Sequence, residues 1–216
     1  MITFSGVYKY YNEIPVLQGI SFHIDKGELA FITGPSGAGK TTLLKLIFGS
    51  EVADEGEIKV GDFELSRIKN SEIPRLRRFV TFVFQDFRLR QDLTVFDNVA
   101  LPLRILGEKE KEIKLKVMDV LRDVALRHKV DSLVRTLSGG EQQKIAIARA
   151  VVTNPQIILA DEPTGNLDPE ASQEIINLFK KINTRGCTVL IATHDPTLFQ
   201  SSSYRVLKLK DGKISQ

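Results

Sequence analysis

Three stretches of this chain combine residue types and spacings that could do chemistry on a phosphorylated substrate. The run Gly34-Pro35-Ser36-Gly37-Ala38-Gly39-Lys40-Thr41, followed by Thr42, fits the pattern G-x-x-x-x-G-K-[ST] and lies between an apolar strand-like segment and a helical one. Glycines at those positions let successive backbone N–H groups close round phosphate oxygens. Lys40 would reach the β- and γ-phosphates, the Thr41 hydroxyl would ligate Mg²⁺, and the helix N-terminus adds its partial positive charge. A plain strand-to-helix turn could use the same glycines. The bare pattern, however, arises by chance in only about one chain in a hundred of this length.

The second stretch, Ile157-Ile-Leu-Ala-Asp161-Glu162, is an apolar run ending in adjacent carboxylates. A strand of that kind in a parallel sheet delivers its C-terminal residues to the ligand crevice. Asp161 would hold Mg²⁺ through its water shell, and Glu162 could polarise the water that attacks the γ-phosphate; a helix cap ahead of Pro163 is the plainer alternative. The third stretch, Leu137-Ser138-Gly139-Gly140-Glu141, opens a helix with an S-x-x-E capping box. The box accounts for Ser138 and Glu141 but not for two consecutive glycines, which expose N–H groups at a second phosphate-ready terminus. Two phosphate sites with one set of metal ligands predict a two-fold dimer, each Ser138 helix covering the ATP held by the other chain's Lys40 loop.

Weaker signals surround these. Gln85 follows the run FVTFVF and could bridge the Mg²⁺ or the water, or simply end a strand. His194 follows TVLIAT and could hydrogen-bond the γ-phosphate, or serve a structural role. Tyr11 could stack on the adenine, although Tyr8 and Tyr10 stand close by and position alone does not choose among them. Arg75, Arg77 and Arg78 read as a solvated helix face.

The elements that must position these groups alternate in type. Strands are expected over 3–7, 16–24, 28–33, 57–60, 79–84, 156–161 and 188–193, with a turn at 11–15. Helices are expected over 41–48, 108–127, 138–153 and 169–184, with Thr94 capping another that Gly107 breaks. The ending YRVLKLKDGKIS reads as a hairpin turning at Asp211-Gly212. The fold class is therefore α/β: a phosphate-loop core, an antiparallel β subdomain and an α-helical subdomain. A core of 1–85 and 156–216 would carry the β subdomain, and about 86–155 the helical one. At 216 residues with a formal charge of +3, the chain suits a single domain, and its charge gives no sign of nucleic-acid binding. Cys187, the lone cysteine, rules out an internal disulfide or a cysteine metal cluster. The N-terminal residues show no signal peptide and no run of about 18 apolar residues occurs, so a membrane role would need a membrane-spanning partner.

Taken together, Tyr11, Gly34 to Thr42, Gln85, Leu137 to Gln143, Asp161-Glu162, Gly165 to Asp168 and His194 resemble the ATP-binding cassette ATPase family along the whole chain. The resemblance implies Mg²⁺-dependent ATP hydrolysis, with catalytic roles for Lys40, Glu162 and His194 and metal contacts from Thr41, Gln85 and Asp161. It also implies nucleotide contacts from Tyr11, Gly34 to Thr42, Gln85, Ser138 to Glu141 and Asp168. TVFDNVALPL, LSGGEQQKIAIARAVV and LADEPTGNLD look most like the cell-division branch. That branch implies an FtsX-like integral membrane permease as partner, cell-wall hydrolase factors indirectly, and a peripheral place on the cytoplasmic face of the membrane. The rivals are a lipoprotein-releasing or macrolide-type exporter ATPase and a soluble regulatory cassette protein. Phe87-Arg88-Leu89-Arg90 departs from the more apolar family pattern in the region that meets the permease.

Overall fold

Alternating burial along the first two strands builds an antiparallel layer. The computed structural model describes residues 1–199 and 204–215. In it β1 (Ile2–Tyr11) and β2 (Ile14–Ile24) pair around Asn12-Glu13, both at positive φ (49° and 68°), as a two-residue hairpin loop with the strands' right-handed twist requires. The expected turn over 11–15 thus shrinks to two residues and both strands lengthen. β3 (Leu29–Thr33) leaves this layer for a second sheet and feeds the phosphate loop and α1 (Lys40–Ile47). β4 (Glu55–Val60) and the short β5 (Phe63–Glu64) complete the antiparallel layer in the order β2-β1-β4-β5.

α2 (Ile73–Phe79) then carries Arg75, Arg77 and Arg78 and runs directly into β6 (Val80–Val83). Phe79, expected in the strand, closes the helix instead, its ring edge-on to Phe63 at 5.8 Å. The helical elements follow. α3 (Val95–Ile105) is capped by Thr94, whose side chain accepts from the Asp97 N–H at 3.1 Å. α4 (Glu110–Asp123) is shorter at both ends than expected; Ala125 at φ 60° reverses the chain so that Val124 and Leu126 both turn into the core. α5 (Gly139–Val151) starts from the Ser138 cap and stops ahead of Asn154, at φ 53°, and Pro155.

β7 (Ile157–Asp161), α6 (Pro169–Asn183) and β8 (Thr188–Thr193) return to the second sheet, and β9 (Arg205–Lys210) with β10 (Lys213–Ser215) makes the closing hairpin. Its order is β10-β9-β3-β8-β7-β6, parallel throughout except β10. Both faces are covered, so its central strands are apolar between their end residues, and the residues of each strand divide by parity. Phe31, Ile158, Ala160, Val189 and Ile191 face the helices α3 to α6. Ala30, Ile32, Ile157, Leu159, Leu190 and Ala192 face α1 and the antiparallel layer. Parallel strands end together, so the segments after β3, β7 and β8 emerge at one edge. Among the described residues no helix is long and apolar enough to cross a membrane.

Candidate functional site

The phosphate loop is shaped by what packs against it. Gly39 sits at φ 101°, and a Cβ there would come within 2.9 Å of Leu17 Cδ2 and 3.1 Å of the Val16 carbonyl, so β2 lies flat on the loop and excludes any other residue. At the loop's other end a Cβ on Gly34 would meet the Leu209 carbonyl of β9 at 2.0 Å. α1 begins with no side-chain cap and no acid in its first turn, leaving its N–H groups and their partial positive charge for an anion. Lys40 is buried, and its ammonium donates to the Gly34 carbonyl at 2.8 Å and the Pro35 carbonyl at 3.3 Å.

That ammonium also pairs with Glu162 Oε1 at 3.3 Å. Glu162 is placed by a strained backbone: φ is 45°, a left-handed conformation that costs a non-glycine residue about 1–3 kcal/mol. Its N–H bonds the Ala192 carbonyl of β8 at 2.9 Å and its carbonyl receives the Gly165 N–H at 3.1 Å, so ladder and turn hold the strain. The second carboxylate oxygen, Oε2, lies 2.9 Å from His194 Nδ1 and 3.3 Å from the His194 N–H. Lys40, Glu162 and His194 thus form one cluster from the ends of three parallel strands, with Glu162 between the other two. The His194 ring stays 59% exposed and open to a ligand.

Asp161 faces the other way, beside Thr41. Burial pushes its carboxyl above the usual carboxylate range and the Glu162 charge adds to this, while the Thr41 hydroxyl, Lys40 and Lys45 pull it down. Its buried Oδ1 has no hydrogen-bond partner. An orphaned carboxylate oxygen next to a hydroxyl is a hard-oxygen donor pair, the set that suits Mg²⁺ held mainly by water and substrate phosphates. Gln85 lies across the turn after Glu162, its Nε2 at 3.3 Å from where a Cβ of Gly165 would stand.

Other candidates lie apart. Tyr8 packs its hydroxyl over Gly19 and stacks on Tyr10 at 6.3 Å, whereas Tyr11 is 39% exposed with the Lys9 ammonium 5.5 Å from its ring centre. The ring left free is therefore Tyr11, on the hairpin that covers Gly39. Ser138 and Glu141 form the full capping box: Ser138 Oγ accepts from the Glu141 N–H at 3.2 Å and Glu141 Oε2 from the Ser138 N–H at 2.9 Å. Within one chain Gly139 and Gly140 face Leu167 and Ala171, and no hydrogen bond or ion pair among the described residues ties Ser138 to the Lys40 cluster. Asp168 caps α6, accepting from the Ala171 N–H at 2.8 Å.

Two positioning residues escaped the sequence reading. Arg149 on α5 is half-buried, the partial desolvation holding its pKa below the ordinary range, and it donates to the carbonyls of Phe87 at 2.8 Å and Arg88 at 2.6 Å. Those two residues, just past Gln85, both sit at positive φ (57° and 49°). Asn98, fully buried on α3, accepts from the Arg90 N–H and donates to the Arg90 carbonyl, both at 2.9 Å. For Asn98 the available signal was a polar residue among the buried apolar positions of α3.

The sequence profile of the ABC transporter family matches residues 17–165. The chain belongs to that family. As an ATP-binding cassette it is an ATPase of the phosphate-loop class, and relatives match it along nearly its full length. The cell division ATP-binding protein FtsE of Escherichia coli K12 is 49% identical over 215 residues, covering 99% of this chain and 97% of its own. FtsE of Streptococcus pneumoniae D39 is 46% identical over 208 residues, covering 96% of this chain and 90% of its own. The cassette also superposes on the dimeric post-hydrolysis structure of the ATP-binding cassette MJ0796 bound to ADP and Pi. There the TM-score is 0.89 at 35% identity, over 100% of this chain and 97% of that one.

Proposed function

We propose that this cassette binds Mg-ATP between two copies of itself and uses its hydrolysis to drive an FtsX-like membrane protein in bacterial cell division, activating cell-wall hydrolysis. The observation that carries the chemistry is the Lys40–Glu162–His194 cluster at the C-terminal edge of the parallel sheet. On nucleotide binding, Lys40 exchanges Glu162 for phosphate oxygens and the first-turn N–H groups of α1 close on the anion. Glu162, released, accepts a hydrogen bond from the attacking water, while His194 turns its exposed ring to the γ-phosphate. Asp161 and Thr41 would hold the Mg²⁺, with Gln85 reaching it from the loop; the ion supplies charge neutralisation between the β- and γ-phosphates. Tyr11 stacks on the adenine.

Because no hydrogen bond or ion pair among the described residues joins Ser138, Gly139 or Gly140 to their own chain's Lys40, we assign them, with Asp168 and Glu141, to the ATP of the opposite protomer. The dimeric ADP-bound relative supports this arrangement. For the partner, an apolar groove between α2, α3 and α5 opens beside the loop that follows Gln85. It is lined by Phe84, Leu101, Pro102 and Ile105, the last 77% exposed, with Arg77 and Arg149 at its edge. A cytoplasmic helix of a permease fits such a groove, and movement of the helical part, about 86–155, against the remainder would transmit closure to it. The cell-division assignment is supported by the identity to the FtsE proteins over nearly the full chain.

The test is affinity capture of the Glu162→Gln variant with ATP from native membranes. Recovery of a four-span FtsX-like permease with cell-wall hydrolase regulators is expected. A lipoprotein-releasing or macrolide-type permease would replace the reading with an exporter, and a trapped dimer without any membrane protein would leave a soluble regulatory cassette.

A further inference from the structure

A second sizeable cavity lies away from the Lys40 cluster. It lies at the opposite edge of the parallel sheet, where the segments leading into β3, β7 and β8 meet the C-terminal ends of α4, α5 and α6. Its volume is about 480 Å³, within the range of small-molecule sites. The walls are apolar, built by Val124, Val151, Ile158, Leu178 and Ile182, with the Cys187 side chain among them. Burial pushes the Cys187 thiol up to about 12, so it stays neutral and adds no charge to the interior.

The mouth is charged and unbalanced. Lys26, Lys181 and Arg185 surround it against a single carboxylate, Asp123. Asp123 takes both Lys181, at 3.3 Å, and Arg185, leaving Lys26 outside the pair and a net positive rim. The three helix ends carry partial negative charge, which would oppose an anion. That effect is confined to the last turn, and here many of the terminal carbonyls already accept backbone N–H groups, as in Leu126 to Leu121, Val152 to Ala148 and Gly186 to Asn183.

An apolar chamber with a cationic rim selects for a molecule with a tail and a negative head. We propose that this cavity is a binding site for a small amphipathic carboxylate, a medium-chain fatty-acid anion, its tail among Val151, Leu178 and Ile182 and its head at Lys26 and Lys181. The site joins α4 and α5 to the sheet and α6, so an occupant clasps the helical part to the remainder and slows nucleotide turnover by opposing their relative movement. Binding itself does not rest on the function proposed above and is measured without nucleotide.

Decanoate is the probe, titrated calorimetrically into the purified full chain below its micellar concentration. Decanol supplies the same tail without charge, decyltrimethylammonium the opposite charge, and acetate the head alone. Decanoate is expected to saturate one site about tenfold more tightly than decanol or decyltrimethylammonium, the discrimination that a few partly exposed charge contacts supply, and acetate is expected not to bind. Because Cys187 is the chain's single cysteine, its modification by excess methyl methanethiosulfonate at about pH 9, where a small reactive thiolate fraction forms and the lysines stay charged, locates the site when followed by mass. Bound decanoate should slow that reaction. The double variant Lys26→Ala/Lys181→Ala removes exposed side chains and leaves Arg185 to hold Asp123, so it should fold normally and bind decanoate about tenfold more weakly. Absence of saturable binding, equal affinity for the three long-chain probes, an unprotected Cys187 or an unchanged double variant would each overturn the proposal.

Discussion

Replacing Glu162 by Gln keeps the side chain's shape and removes its charge, and the structure says what should follow in each state of the protein. Without nucleotide, the carboxylate is 13% exposed and pairs with a Lys40 ammonium that is 7% exposed, at 3.3 Å. The amide oxygen can still accept from His194, but the Coulombic attraction to Lys40 is lost. Lys40 keeps the Gly34 and Pro35 carbonyls, so the ammonium is not stranded, and the net loss should be about 1–2 kcal/mol rather than the 3–5 of an abandoned buried charge. For a domain of this size that lowers Tm by roughly 2–8 °C. With ATP the sign reverses, because the variant removes a negative charge facing the γ-phosphate and the nucleotide-bound Tm should rise above that of the parent. Turnover is the decisive number. Loss of a positioned general base should slow phosphate release by about 10²–10⁴-fold, or 3–5 kcal/mol of barrier. Differential scanning fluorimetry with and without Mg-ATP, steady-state phosphate release and size-exclusion chromatography read all three. A variant that hydrolyses ATP at the parental rate would refute the role of Glu162, whatever its effect on Tm.

Ser138→Arg should block hydrolysis while leaving nucleotide affinity of the separate protomer unchanged, measured by fluorescent-nucleotide binding beside an activity assay; an active, strictly monomeric enzyme would rule out the shared site. Gly39→Ala forces a Cβ to 2.9 Å from Leu17 Cδ2 at φ 101°, so ATP affinity should fall and the Tm should drop, both visible in one nucleotide titration by fluorimetry. Arg149→Ala frees the Phe87–Arg88 loop from two charge-assisted hydrogen bonds and should cost about 2–4 kcal/mol in a denaturant titration. Asp97 is held below the usual carboxylate range by the Thr94 hydroxyl and by Arg104, so its stabilising contribution is present above the unfolded-state pKa and lost as pH falls through the depressed folded value. Asp97→Asn should therefore lower the unfolding free energy at pH 7 by less than about 1 kcal/mol, read in a denaturant titration, and the gap to the parent should close towards pH 3.

Much of the fold was legible because the central parallel strands are continuously apolar between their end residues. Thr188–Thr193 and the apolar run ending at Asp161 needed no periodicity to be found, and glycine or proline punctuated most helices. Boundaries failed where a non-glycine residue took a left-handed conformation. Asn12 and Glu13 tighten a turn expected to span five residues, and Ala125 ends α4 where composition still favoured helix. No propensity scale marks Ala125. What places it there is the burial of Val124 and Leu126 on either side, a tertiary gain that outweighs a local cost of about 1–3 kcal/mol.

The site divides along the same line. Motif spacing could name Lys40, Glu162 and His194 separately, but their meeting depends on sheet order, since β3, β8 and β7 lie side by side. Less visible still is what steadies the segment after Gln85. Phe87 and Arg88 occupy positive φ without being glycine, and the residue that holds them, Arg149, lies 61 positions beyond Arg88 on the helix that Ser138 opens. A half-buried guanidinium spending its donors on two carbonyls, with no carboxylate partner among the described residues, is a costly arrangement that apolar packing could replace unless the strained loop must move with that helix. The same helix presents Gly139 and Gly140 at one end and holds the loop from near the other. On the function proposed above, a displacement of the loop by a partner in the adjoining groove would be passed along the helix from Arg149 to Gly139, the terminus assigned to the opposite protomer's ATP.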